Sequence, residues 1–245
     1  MYEILLQYGP LTITTFNVLL AVAFIVSTII LVRYTQLKKM KLSFFVNNFI
    51  YFIIFPLLGG RIFYIFEHFS AFMRIPLQIL EIWDMRFSAF GIFYVTVITL
   101  YILARRENED FWGWLDAFIL SGLVGLVFIH IGHFFNGTNY GKPTDLPWGI
   151  AFDTYNIPFI NPIHPAQIYS ALASFIIFGV VMGITKRTHL TGLVGNLAII
   201  LYSVSAFGID FLHGSPSSYA KINYLIVASI AVIFYIHCSY KKLFD

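Results

Sequence analysis

The chain has 245 residues, 59% of them hydrophobic and only 11% charged, with a mean hydropathy of +0.80. Soluble domains lie near about 45–50% apolar and about 25% charged, so this much apolar surface does not fit one small core and calls for lipid as solvent. A net charge of +3 without a basic tract excludes nucleic acid as a partner, and the single cysteine, Cys238, excludes an intrachain disulfide and a Cys-rich metal site.

Seven apolar stretches follow one another, at 12–33, 43–66, 87–104, 112–130, 164–184, 192–212 and 221–238. Each approaches the ~20 residues that cross a bilayer as a helix. They predict an all-α integral membrane protein, a single transmembrane domain over 1–245. The first stretch lacks the basic leader of a cleavable signal and is followed at once by Arg33, Lys38, Lys39 and Lys41. Alternate loops repeat that basicity with Arg105 and Arg106, Lys186 and Arg187, then Lys241 and Lys242. Ten of the fifteen basic residues thus fall on one side. The positive-inside rule places that side, with the C-terminus, in the cytoplasm and the N-terminus outside. The long outer segments are 67–86 and 131–163. The second carries Gly137, Gly141, Pro143, Pro147, Gly149, Pro158 and Pro162 and reads as an irregular loop starting at membrane depth. Such backbone must be buried in protein or line a cavity.

Charges inside spans are costly and mark functional candidates. Arg61 follows Gly59-Gly60 near the outer end of the second stretch. Two readings stand: a snorkelling arginine beside a close helix contact, or a cation facing an anionic headgroup. Asp116 opens the fourth stretch and reads as a complement to a helix N-terminus. The outer ends carry the remaining candidates. The fourth stretch ends His130-Ile131-Gly132-His133-Phe134-Phe135-Asn136-Gly137, the fifth opens His164-Pro165-Ala166-Gln167-Ile168-Tyr169, and the sixth ends Asp210-Phe211-Leu212-His213. His130 and His133 share a helix face, as do Asp210 and His213. Each histidine alone is more often an interfacial hydrogen-bonding residue than a catalyst.

These residues resemble the signatures of the prolipoprotein diacylglyceryl transferase family. Asp116, Gly132, Phe134, Asn136, Gly137 and Gly141 fit, without a gap, its pattern of an Asp opening a span and G-R-x-G-N-F-x-N-G-E-x-x-G closing it. His164-Pro165-Ala166-Gln167-Ile168-Tyr169 is similar to its H-P-x-Q-L-Y-E, Gly59-Gly60-Arg61 to its G-[GA]-R, and Gly9-Pro10-Leu11 to its start. Gly192, Gly195, Tyr202, Asp210 and Phe211 follow the spacing of its Y-x-x-x-R-x-x-x-E-F region. The resemblance implies a multi-pass protein of the bacterial inner membrane. It also implies the family reaction, transfer of diacylglyceryl from phosphatidylglycerol to a prolipoprotein cysteine. The implied partners are a phospholipid, a lipoprotein precursor or a larger membrane assembly, and no cofactor is expected. The resemblance gives Arg61, Asn136, Gly137, Gly141, Gln167, Tyr169, Tyr202 and Asp210 substrate-binding roles.

The departures fall on residues the family chemistry uses. The signature Arg is His130, the following Asn is His133, and the signature Glu is Thr138. Counted from Trp83, the family histidine of the third span is Phe90, while Gly91 remains. The sixth-span arginine is Ala206, the Glu closing H-P-x-Q is Ser170, and a tyrosine early in the first span is Phe16. A thiol reacts as its thiolate and needs a base within reach. A phosphate leaving group is best held by guanidinium forks. Three readings follow: a catalytically diverged lipid- or partner-binding membrane subunit; an active transferase using His130, His133 and His164 with Arg61; or a metal site built from His130, His133, His164, Asp210 and His213, whose ligand types suit zinc although no H-E-x-x-H spacing is present.

Overall fold

The computed structural model describes residues 4–8, 11–74, 76–80, 86–152, 157–188 and 190–244. Gly9, Pro10 and Trp83 of the family resemblance lie outside the described residues. The chain forms two compact units, one of Met1–Tyr34 with Asp116–Asp245 and the other of Thr35–Leu115.

The first unit opens with an antiparallel hairpin, β1 (Ile4–Tyr8) on β2 (Leu11–Thr14), which the sequence reading had not anticipated. Helix α1 (Thr15–Leu37) follows at once, and the Thr14 hydroxyl accepts the Asn17 N–H at 3.2 Å, capping its first turn. Helices α6 (Phe111–Asn136), α7 (Ala166–Thr185), α8 (Leu193–Asp210) and α9 (Ser218–Phe244) complete this unit, with α8 packed against both α7 and α9. Many large apolar side chains point outward, among them Phe24, Ile25 and Ile29 on α1 and Phe175 and Ile176 on α7. In lipid this is the expected surface.

Asp116 has no exposed surface and ties three helices of this unit together. Its carboxylate accepts the Gly192 N–H at 2.8 Å and the Gly195 N–H at 2.6 Å, and the Tyr34 hydroxyl lies 3.4 Å away. A helix N-terminus leaves backbone N–H groups without intrahelical partners, and here the acid serves α8, not its own helix α6. The expectation placed Asp116 at the N-terminus of the helix it opens; its carboxylate instead complements that of α8. Both glycines are required locally: Gly192 has φ 82°, and a methyl group on Gly195 would fall 2.7 Å from the carboxylate.

In the second unit, α2 (Leu42–Asn48) and α3 (Tyr51–Glu67) replace the continuous second span expected over 43–66, and they are bent by 57°. Pro56 removes one backbone hydrogen bond within α3, and the Asn48 amide turns to the Phe44 carbonyl and, at 2.6 Å, to Glu107. The short α4 (Phe69–Phe72) and a 3-10 turn at Pro76–Leu80 lead to α5 (Ala89–Glu107). Ser88 caps α5 by accepting the Gly91 N–H and hydrogen-bonds the Glu67 carboxylate. Lys41 pairs with Glu109 at 3.1 Å. The α2–α3 pair is thus tied to α5 at both ends, and α3 packs along α5. Gly59 and Gly60 let them approach: a methyl on either would meet Val95 or Ile92.

The protein is therefore helical and multi-pass. Among the described residues, six helices are long and apolar enough to cross a membrane, and the bent α2–α3 pair, counted as one span, makes seven.

Candidate functional site

Apart from Arg61 and Asp116, the residues singled out in the sequence lie where α6 and α8 end and α7 begins, in the first unit. Helix α6 runs on to Asn136, beyond the 112–130 stretch, so His130 and His133 both sit on its last turns. Its end is a Schellman cap: Gly137 takes φ 67°, Gly137 N–H reaches the Phe134 carbonyl and Thr138 N–H the His133 carbonyl at 3.0 Å. The Asn136-Gly137 pair is thus explained by helix termination, independently of any ligand.

From that cap a chain of contacts runs through the site. His133 Nδ1 lies 2.7 Å from the Thr138 hydroxyl, and its ring packs on Phe16 with centroids 5.1 Å apart. The Gln167 amide donates to the Thr138 carbonyl at 2.8 Å. His130, half-buried, has Nε2 3.4 Å from the Tyr202 hydroxyl. Gly141 pairs with His213 as an antiparallel bridge, through Lys142 N–H to the Leu212 carbonyl and Gly214 N–H to the Tyr140 carbonyl, both 2.8 Å. A methyl on Gly141 would strike His164. Gly141 is needed for this close approach of the loop to the head of α7. His164 Nδ1 is 3.3 Å from the Tyr169 hydroxyl, which also accepts the Trp148 indole N–H at 2.8 Å.

At the end of α8, Asp210 is 4% exposed. Its Oδ1 is 3.4 Å from His213 Nδ1 and its Oδ2 3.6 Å from the Lys221 ammonium, which lies 4.2 Å over the Phe211 ring. Burial holds the His213 pKa below its ordinary value, with the Asp210 carboxylate opposing that shift. His213 is therefore neutral at pH 7. The folded protein binds this proton less readily than the unfolded chain, so stability falls as pH drops below about 6.5 toward the depressed pKa. A thermal melt is expected to lose more on going from pH 7.5 to 5.5 in the parent than in His213→Gln.

Arg61 belongs to the second unit. It is 6% exposed, donates to the Arg86 carbonyl at 3.2 Å and the Gln78 carbonyl at 2.9 Å, and lies about 6 Å from the Tyr64 and Phe72 rings. Both guanidinium NH2 groups thus brace backbone that leads from α3 to α5. Phe90 stacks on Tyr94, and Gly91 packs on Phe63. Among the described residues, no three of His, Cys, Asp and Glu converge as a metal ion would require, and the His130 and His133 ring centroids are 6.5 Å apart.

Sequence reasoning passed over Lys221, Phe16 as the partner of His133, and Trp148. Lys221 did leave a signal: it is a lysine one turn into an apolar span, at the end that the positive-inside pattern leaves poor in basic residues.

Comparison with known proteins bears on the family. The family model described as prolipoprotein diacylglyceryl transferase matches residues 3–240. Relatives named phosphatidylglycerol–prolipoprotein diacylglyceryl transferase include one from Clostridium tetani, 28% identical over 219 residues, covering 88% of this chain and 87% of the relative. One from Nitratidesulfovibrio vulgaris is 37% identical over 166 residues, covering 66% of this chain and 61% of the relative. A third, from Finegoldia magna, is 23% identical over 231 residues and covers 93% and 91%. With the match spanning nearly its whole length, the chain belongs to the prolipoprotein diacylglyceryl transferase family.

Proposed function

We propose that this chain is a phospholipid-binding member of the family in the bacterial inner membrane, N-terminus outside and C-terminus in the cytoplasm. In this reading it keeps the family's lipid-accommodating architecture without running diacylglyceryl transfer at a family rate. The observation that carries the reading is that, among the described residues of the first unit, no guanidinium stands at the site. The arginines of the first unit are Arg33, near the end of α1, and Arg187, just after α7. The site lies at the opposite ends of these helices. The signature position holds His130 and the sixth-span position Ala206, and neither side chain offers the bidentate fork that stabilises a departing phosphate. Among the substrate-binding candidates, Gln167, Tyr202 and Asp210 remain in place for a headgroup, and Asn136, Gly137 and Gly141 shape the loop around it.

A second reading has one observation in its favour. The Thr138 hydroxyl fixes His133 through Nδ1 and leaves its other ring nitrogen for proton transfer, so a histidine-driven transferase using His130, His133 or His164 is its chemical form. Arg61 would hold the phosphate in this reading while two of its five N–H donors brace the Arg86 and Gln78 carbonyls.

The two readings part in one experiment. Purified protein is given phosphatidylglycerol and a lipobox-cysteine peptide, and both retained lipid and peptide thioether are read by mass spectrometry. Retained phospholipid without thioether is the expected result. Thioether that disappears in His130→Ala or His133→Ala establishes the second reading instead.

A further inference from the structure

Among the described residues, two buried oxygen atoms of the site have no hydrogen-bond donor. Gln167, 1% exposed, gives its amide N–H to Thr138 but leaves Oε1 without a partner. Asp210 leaves Oδ2 without one as well. The Lys221 ammonium stands 3.6 Å from that oxygen, within ion-pair reach but beyond hydrogen-bond length. Buried acceptors of this kind are rare in folded proteins and ask for an explanation. Both unmet groups are acceptors, so an added anion would satisfy neither. What they call for is a ligand that donates.

The charges lead the same way. At the end of α8 one carboxylate, nearly buried, sits beside one ammonium whose side chain is 22% exposed, and His213 between the loop and Asp210 is neutral. The pair is itself a zwitterion with unspent hydrogen-bonding capacity on both partners. It matches a ligand of opposite polarity, whose N–H-bearing cation meets Asp210 Oδ2 and whose phosphodiester meets Lys221. A purely anionic headgroup would gain Lys221 but bring its charge against the Asp210 carboxylate, and among the described residues of the first unit no guanidinium offsets it.

The geometry points to a phosphodiester–ammonium zwitterion, the headgroup of an amine-bearing phospholipid, as the ligand of the Asp210–Lys221 pair. This rests on the lipid-binding reading above and narrows it to a lipid class different from the one in the relatives' name.

The test is competition for the detergent-purified protein, read by native mass spectrometry, among phosphatidylethanolamine, phosphatidylcholine and phosphatidylglycerol of matched acyl chains. Phosphatidylethanolamine is expected to be retained at least about tenfold over phosphatidylglycerol. Phosphatidylcholine, with the same charges but no N–H donors, is expected to bind less well than phosphatidylethanolamine. Lys221→Gln and Asp210→Asn are each expected to erase the preference, while Lys142→Gln, on an exposed loop position, keeps it. Lys221→Gln is the decisive variant because that side chain is partly exposed, and an unchanged melting temperature shows that the fold survives. Equal retention of the three lipids, or a preference for phosphatidylglycerol, overturns the inference and leaves the lipid-binding reading standing. Retention of no phospholipid overturns that reading. Displacement of the lipid by soluble glycerophosphoethanolamine at equal affinity would assign the site to a free headgroup and overturn the lipid class.

Discussion

Asp116→Ala is expected to cost about 2–5 kcal/mol of stability, enough to lower the melting temperature in detergent sharply or prevent accumulation of the folded protein. The carboxylate is fully buried, accepts two backbone N–H groups at 2.6 and 2.8 Å and lies against the Tyr34 hydroxyl. Alanine would strand the Gly192 and Gly195 N–H groups at the start of α8 with no water to take the vacated place. Buried donors left unmade cost more than the net worth of the bond they lose. Asp116→Asn is expected to recover part of the loss, since an amide oxygen accepts one N–H but its NH2 opposes the other. A melt of Asp116→Ala within a degree or two of the parent would mean that α8 is held in place without this carboxylate.

The second large effect concerns chemistry. Loss of a single positioned electrostatic donor typically costs ~10²–10³ in rate. In the proposed reading, as the motif resemblance implies, His130 and Ala206 take the places of two family arginines and Phe90 that of a family histidine. Two such losses compound to at least ~10⁴, before the missing base is counted. Histidine does not repair this. As a neutral imidazole it brings one donor and one acceptor, and His130 already has Tyr202 as a neighbour. Accordingly, His130→Ala is expected to change residual transfer by less than about tenfold, whereas the corresponding signature arginine in an active relative is expected to be far more sensitive. Initial rates of thioether formation on one peptide substrate compare the two directly.

The architecture was legible because lipid imposes a simple code: long apolar runs, basic residues at alternate ends, and few internal charges. That code located the helices to within a few residues. It did not show the break at 49–50, because apolar residues continue across it and the Asn48–Glu107 bond there joins residues far apart in the chain. Nor did it show the N-terminal hairpin, since Leu11–Thr14 reads as the beginning of the first span as readily as a strand. Glycines were informative where backbone geometry required them: Gly59 and Gly60 at a helix contact, Gly137 at a left-handed cap, and Gly195 against Asp116.

At the site, motif spacing brought His130, His133, Gln167, Tyr202 and Asp210 to one end of the first unit, and the structure shows the contacts that link His133 with Gln167 through Thr138 and His130 with Tyr202. Arg61 shows where spacing falls short. The residue is buried as an intramembrane cation should be, but its donors are turned to the Arg86 and Gln78 carbonyls, which no local pattern in the sequence announces. Lys221 was passed over for the opposite reason. It belongs to no shared motif, and its importance comes from standing beside Asp210.

The decisive measurement is the initial rate of diacylglyceryl transfer from phosphatidylglycerol to a lipobox-cysteine peptide, with this protein and the Clostridium tetani relative assayed side by side. A rate at least ~10⁴ below the relative's, from protein that melts cooperatively and retains phospholipid, is the predicted result. A rate within about tenfold of the relative's would show that histidines, Lys221 or Arg61 do the work of the missing arginines, and would contradict the proposed loss of transfer.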